Sequence, residues 1–231
     1  MYILHSFMNL KMTKIYILLI SLFVAGCSHT SNHSGSDMKG NGNFVTETRD
    51  LPEFAEIEMY ITYDKITVNA GVRQSFKITG DENIVPLVQT QVINGVLQIS
   101  SDSSFNTKAE SEIIIEMESI ASFTFDGVGE SVINNLNEDN FIYTLNGVGG
   151  CKLFGKVNKL EISVNGVGSV DAQNLIAENV IASLNGVGSA EVYAVRSLDA
   201  SANGIGGLTY YGNPEELNLN NSGLGGVSKG D

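Results

Sequence analysis

From Phe44 to Asp231, apolar and polar positions alternate over short stretches, and no long stretch keeps a helical period. That alternation predicts β-strands with one buried face. In the second half a longer repeat is laid over it. Asp126-Gly127-Val128-Gly129, Asn146-Gly147-Val148-Gly149, Asn165-Gly166-Val167-Gly168, Asn185-Gly186-Val187-Gly188 and Asn203-Gly204-Ile205-Gly206 recur at steps of 20, 19, 20 and 18 residues. A degenerate Ser222-Gly223-Leu224-Gly225 follows 19 residues later. When the copies are aligned, the positions one, three and five residues before the Asn are apolar, as in Leu145, Tyr143 and Phe141. The position two before it is a hydroxyl: Thr124, Thr144, Ser163, Ser183 and Ser201. After the turn the apolar columns resume at Cys151, Val170, Ala190 and Leu208, then at Leu153, Ala172 and Val192. A third side is hinted by Leu136, Val157, Leu175 and Val195. The aliphatic residue between the two glycines is expected to point into the core.

A single coil of this kind cannot bury its own face, so the units must stack. The pattern predicts an all-β fold: a right-handed parallel β-helix, or β-solenoid, with coils of about 19–20 residues and a less regular N-terminal part. Stacked rungs lie about 4.8 Å apart. Glycines suit the corners, where they permit positive φ or close backbone approach. Asn146, Asn165, Asn185 and Asn203 are placed to form a hydrogen-bonded amide ladder, with Asp126 capping it. The region 44–120 reads either as irregular coils of the same solenoid or as a capping sheet, with turn signals that include Asn94-Gly95. A cap is required somewhere, because an open solenoid end is an unpaired edge. Region 121–231 is the regular repeat, and 44–231 together read as one domain.

The first 43 residues follow different rules. Lys11 and Lys14 precede the apolar run Ile15 to Val24, which is too short to span a bilayer and suits a signal-peptide core. The start lies further upstream than such a core needs, so Met8 or Met12 is an alternative start. The run closes on Val24-Ala25-Gly26-Cys27, which resembles the lipobox of bacterial lipoproteins, with Val24 where Leu is usual. The resemblance implies cleavage after residue 26 and multiple acylation of Cys27, hence a membrane partner through a lipid anchor. Residues 27–43 are polar and rich in Ser, Gly and Asn, as in a flexible tether. Ser28 after the cysteine resembles the outer-membrane sorting pattern, which places the protein in the cell envelope; whether it faces the periplasm or the outside is left open.

Composition then narrows the chemistry. The chain has 13 Lys+Arg against 26 Asp+Glu, a formal charge of −13, which becomes −15 once Lys11 and Lys14 leave with the leader. Such a balance disfavours nucleic acid as a partner. Its three histidines, His5, His29 and His33, all precede the predicted domain. That removes His-activated nucleophiles there and the commonest metal ligand. No cofactor and no metal site is expected. Cys151 falls in an apolar column and reads as a small core residue. The one carboxylate pair that a glycosidase reading could use is Asp171 and Glu191, one rung apart, with Lys152 one rung earlier; it reads first as a solvated face and second as a ligand face.

Several features together resemble the head GIN domain family of putative auto-transporter adhesins. They are the lipobox at Cys27, Arg49-Asp50-Leu51-Pro52-Glu53-Phe54 ahead of an alternating strand, Asn94-Gly95-Val96-Leu97-Gln98-Ile99, and the five Gly-Val/Ile-Gly turns. The resemblance spans about 44–231. It implies a bacterial envelope lipoprotein, common in Bacteroidetes, with a β-helical domain and an adhesin label that rests on inference. The expected function is a non-catalytic scaffold presenting its solenoid faces to glycan or protein. The alternatives are a polysaccharide-active β-helix enzyme and a purely structural periplasmic lipoprotein.

Overall fold

The computed structural model describes residues 37–108 and 110–231. The leader, Cys27 and most of the tether lie outside the described residues. Strands run in chain order as β1 Met38–Lys39, β2 Phe44–Thr48, β3 Glu56–Tyr60, β4 Thr62–Asn69, β5 Ser75–Asp81, β6 Gln89–Ile93, β7 Val96–Ser100, β8 Phe105–Asn106 and β9 Glu112–Glu116. They continue as β10 Ser122–Phe125, β11 Val128–Leu145, β12 Val148–Val164, β13 Val167–Leu184, β14 Val187–Ala202, β15 Ile205–Tyr211, β16 Glu216–Asn221 and β17 Leu224–Lys229. One 3-10 turn, Val85–Leu87, is the only helical element among the described residues.

From β10 onward the chain winds as stacked parallel coils, a β-solenoid. Each long strand closes one coil and opens the next, so Tyr143 pairs with Ile162, Ile162 with Ala182, and Ala182 with Ala200. The glycine corners stay in register throughout. The varying step of 18 to 20 residues is absorbed on the third side. β-bulges fall there between Ile133 and Leu136, Lys152 and Phe154, and Ala172 and Ile176. For this reason the simple third column does not hold: Val157 pairs with Ala177 and Ala177 with Ala194, while Val195 faces outward.

The core is a set of side-chain ladders, and the one through Tyr143, Ile162, Ala182 and Ala200 shrinks along the axis. Phe123, Phe125, Phe141 and Tyr143 fill the early coils, with Phe123 stacked on Tyr143 at 6.0 Å and 5°. Later coils use Ala182, Ala190, Ala194 and Ala200 at equivalent depth. Parallel register aligns each side chain over its counterpart, and a small residue in one column is offset by a larger one in another, as where Ala182 follows Ile162 and Leu208 follows Ala190.

The N-terminal part resolves into both forms left open by its sequence. β3 and β4 form a coil directly under β10 and β11. β7 and β9 lie on the far side of that coil, parallel to β3 and β4. The chain therefore builds the second level first, travels out to the head level, and returns to add the third. The head is then closed by antiparallel strands: β6 on β7, β5 on β9, and β2 on β5. Arg49 ties this cap down. Its guanidinium donates to the carbonyls of Val88 (2.7 Å) and Val85 (3.1 Å) at the 3-10 turn, pairs with Glu47 at 2.6 Å, and lies over the Phe76 ring. Buried Asp81 accepts from the backbone N–H groups of Gly42 and Lys108, pinning the segment before β2.

Candidate binding surface

The repeated corner is the most regular surface on the protein. From Asn146 onward the carbonyl that ends the lower strand at each turn receives two N–H groups from the coil above. The Leu145 carbonyl, for example, accepts from Asn165 (2.8 Å) and Gly166 (3.0 Å), and the Val164 carbonyl from Asn185 and Gly186. This double acceptance draws successive corners close together. A Cβ on Gly147 would then fall on the carbonyl oxygen of Gly127, and one on Gly168 on that of Gly149. Gly168 also has φ +154°, a conformation that L side chains rarely adopt. Both glycine columns are thus dictated by corner geometry.

Beside them runs the amide ladder. Asn165 Nδ2 donates to Asn146 Oδ1 at 3.0 Å, Asn185 to Asn165 at 3.0 Å, and Asn203 to Asn185 at 3.1 Å. Ser222 Oγ closes the series on Asn203 at 2.7 Å. Asp126 shares the column through its backbone position, but no side-chain bond joins it to Asn146 among the described residues. A carboxylate has no donor and could only terminate such a relay.

The aliphatic residue of each corner does not enter the core. Val128, Val148, Val167, Val187 and Ile205 are 45–54% exposed, and Leu224 is 74% exposed. The reason is the extended second glycine: its backbone carries the chain around the corner, so the preceding Cβ lies on the outside and the next inward position is Cys151, Val170 or Ala190. The result is an external aliphatic ridge about 24 Å long over its six rungs. From Asn146 onward its flanking positions hold no charged residue, being Asn or, at the last rung, Ser on one side and Gly or Ser on the other, with the Glu130 carboxylate of the coil below lying against Gly150. Charge depletion around exposed aliphatic residues marks surfaces that lose water on contact.

The other candidates fare differently. Asp171 and Glu191 are paired on adjacent rungs, with Lys152 beside Asp171, as their spacing predicts. They stand on a solenoid side, and Tyr211 Oη donates to Glu191 at 3.0 Å, which raises the Tyr211 hydroxyl pKa. A polar cleft of about 600 Å³ lies elsewhere, at the head, lined by Glu53, Arg73, Gln74 and Glu118. Gln74 is occupied there by backbone bonds to Leu51, Pro52 and Phe54. Among the described residues no group of His, Cys, Asp or Glu is arranged to hold a metal. Cys151 is buried, and burial pushes its thiol up to about 12, so it is a neutral core atom near pH 7. Tyr143 Oη next to it has no hydrogen-bond partner among the described residues, and burial raises its pKa too. No sequence signal distinguishes that orphaned hydroxyl from the aromatic neighbours in its column.

A capped all-β solenoid whose repeating corners hold an uncharged aliphatic ridge outside defines a repeat scaffold of the β-helical class. The chain belongs to the family described as "putative auto-transporter adhesin, head GIN domain", which matches residues 53–214. It is similar to the crystal structure of a putative adhesin from Bacteroides fragilis NCTC 9343, with 26% identity and a TM-score of 0.70 over 83% of this chain and 99% of that one. It is also similar in fold to a putative lipid binding protein from Parabacteroides distasonis ATCC 8503. There the identity is 18% and the TM-score 0.53, over 85% of this chain and 100% of that one. No curated protein matches the sequence. No helix among the described residues is long and apolar enough to cross a membrane.

Proposed function

We propose that the protein is a non-catalytic binding module of the cell envelope, anchored by lipid on Cys27, that grips a neutral glycan or protein partner along its corner ridge. The observation that carries this reading is the ridge itself: six exposed aliphatic residues in one line, uncharged on both flanks over five coils, on a chain of net charge −13. The adhesin names carried by the family and by the Bacteroides fragilis relative agree with it. A typical glycoside hydrolase needs two carboxylates facing each other across a bound chain, whereas Asp171 and Glu191 project side by side from one solenoid side.

The anchor and the grip are tested separately. Cys27→Ser should move the full-length chain from the membrane fraction to the soluble fraction; retention equal to the unsubstituted chain would end the lipid-anchor reading. The ridge is tested by replacing Val148, Val167 and Val187 with Lys and measuring retention on glycan arrays and on cells. Loss of retention with unchanged folding is expected. Sugar product released from the same glycans would favour the enzyme instead.

A further inference from the structure

The cleft of about 600 Å³ at the head falls within the roughly 300–1,000 Å³ of small-molecule sites. Hydrogen bonds fix each segment that lines it. Gly71 and Val72 donate their N–H groups to the Glu118 and Met117 carbonyls, both at 3.1 Å. Gln74 Nε2 donates to the carbonyls of Leu51 (3.0 Å) and Pro52 (3.1 Å), and Gln74 Oε1 accepts from the Phe54 N–H at 3.4 Å. The 71–74 segment is thus tied to 117–118 on one side and to 51–54 on the other, which sets Arg73 between Glu53 and Glu118. The Gly95 carbonyl holds the remaining wall by accepting from Ala55 and Glu56. Arg73, Glu53 and Glu118 all line the cleft. Among the described residues none of the three makes an ion pair or a side-chain hydrogen bond. Opposite charges that share a cleft ordinarily pair; here the tied backbone keeps the guanidinium and both carboxylates out of contact with one another. Charges held apart on a rigid frame are ready for a ligand at little ordering cost.

We propose that this cleft binds a free diamino acid with one carboxylate and two ammonium groups, of the lysine or ornithine kind. The charges select that class. The ligand carboxylate takes two parallel N–H donors of the Arg73 fork, and its ammonium groups face Glu53 and Glu118. One guanidinium and two carboxylates are then matched by one carboxylate and two ammonium groups. A phosphate or an acidic sugar would set its own negative charge against two carboxylates. A polyamine would set an ammonium against Arg73. The net charge of −13 on the chain draws a ligand of net positive charge towards it. The cleft is larger than such a molecule, so water completes the contacts that the side chains do not make. Glu53 and Phe54 end the Arg49-to-Phe54 segment, which therefore serves the cap through Arg49 and the cleft through Glu53. This site is independent of what the corner ridge binds.

Isothermal titration calorimetry of the full-length chain in detergent at low salt tests the site, with lysine as the probe. Lysine should give a saturable heat. Lysine amide, which lacks the carboxylate, should bind at least about tenfold more weakly. Norleucine and N-acetyl-lysine, each lacking one ammonium, should weaken by a similar factor. Arg73→Gln should weaken lysine at least about tenfold and should not weaken lysine amide further, because only a carboxylate uses the guanidinium. Arg196→Gln, which lies outside the cleft, should change neither. Arg73 and Arg196 are both exposed, so both variants should fold, and matched thermal unfolding checks that they do. No saturable lysine binding, lysine amide or norleucine binding as tightly as lysine, or equal losses from Arg73→Gln and Arg196→Gln would overturn the proposal.

Discussion

At the scale of single residues, the corner separates two jobs that the repeat writes in adjacent letters. Glycine is there for geometry and the aliphatic residue for the surface. Gly168→Ala places a Cβ against the Gly149 carbonyl at φ +154°, so it should cost at least about 3 kcal/mol or prevent folding. Val167→Thr, one position away and 48% exposed, should stay within about 0.5 kcal/mol. Urea unfolding of both variants reads the contrast directly. Burial has its own signature in Cys151, Tyr63 and Tyr143, whose pKa values are raised by desolvation, that of Cys151 to about 12. The fold holds these groups neutral while the unfolded chain releases their protons near pH 9–10. Their contribution is thus complete below about pH 9 and is lost as pH rises towards 12, by up to about 1.4 kcal/mol per pH unit for each ionising group. The urea midpoint should hold steady from about pH 7 to 8.5 and fall by pH 10.5, with a shallower fall in Cys151→Ala.

At the scale of elements, the same dipeptide makes two different turns. Asn94-Gly95 adopts φ +52° and +82° and closes the β6–β7 hairpin, as a type I′ turn should. Asn146-Gly147 and its equivalents keep Asn out of the left-handed region and lead into a parallel corner. The second glycine of the repeat marks the difference: Leu97 stands where Gly149 does. The parallel coils and the amide ladder from Asn146 to Asn203 were legible in the sequence because a parallel register turns equal spacing into equal position. The ridge was not, since an apolar residue between glycines reads as core until the φ of the second glycine is known. The third side departs from simple spacing for a similar reason: bulges absorb the unequal coil lengths, and spacing carries no mark of where a bulge falls. Nor does local alternation reveal that β7 and β9 stack outside β3 and β4, because the same pattern suits either level. The Arg49-to-Phe54 segment carries part of the family resemblance, and the structure gives Arg49 its role as a clamp on the cap. Arg49→Ala should lower stability by about 1.5–3 kcal/mol. Arg49→Lys should recover less than half of that, because an ammonium cannot fork between the Val85 and Val88 carbonyls; thermal unfolding of the two variants provides the comparison.

At the scale of the whole molecule, the solenoid turns a short repeat into a long, uniform surface. Its charge is negative overall, yet the corner excludes charge from Asn146 to Gly226. A lipid anchor on Cys27 and the tether to residue 43 would hold that surface at the envelope, free to meet a partner by its ridge. At the head the antiparallel strands β2, β5 and β6 cover the core. The measurement that bears most directly on this picture is retention of full-length protein on glycan arrays and cells, for the unsubstituted chain and for the Val148→Lys, Val167→Lys, Val187→Lys variant at matched thermal stability. Binding by the former and none by the latter is expected. Equal binding by both would show that the ridge is not the gripping surface.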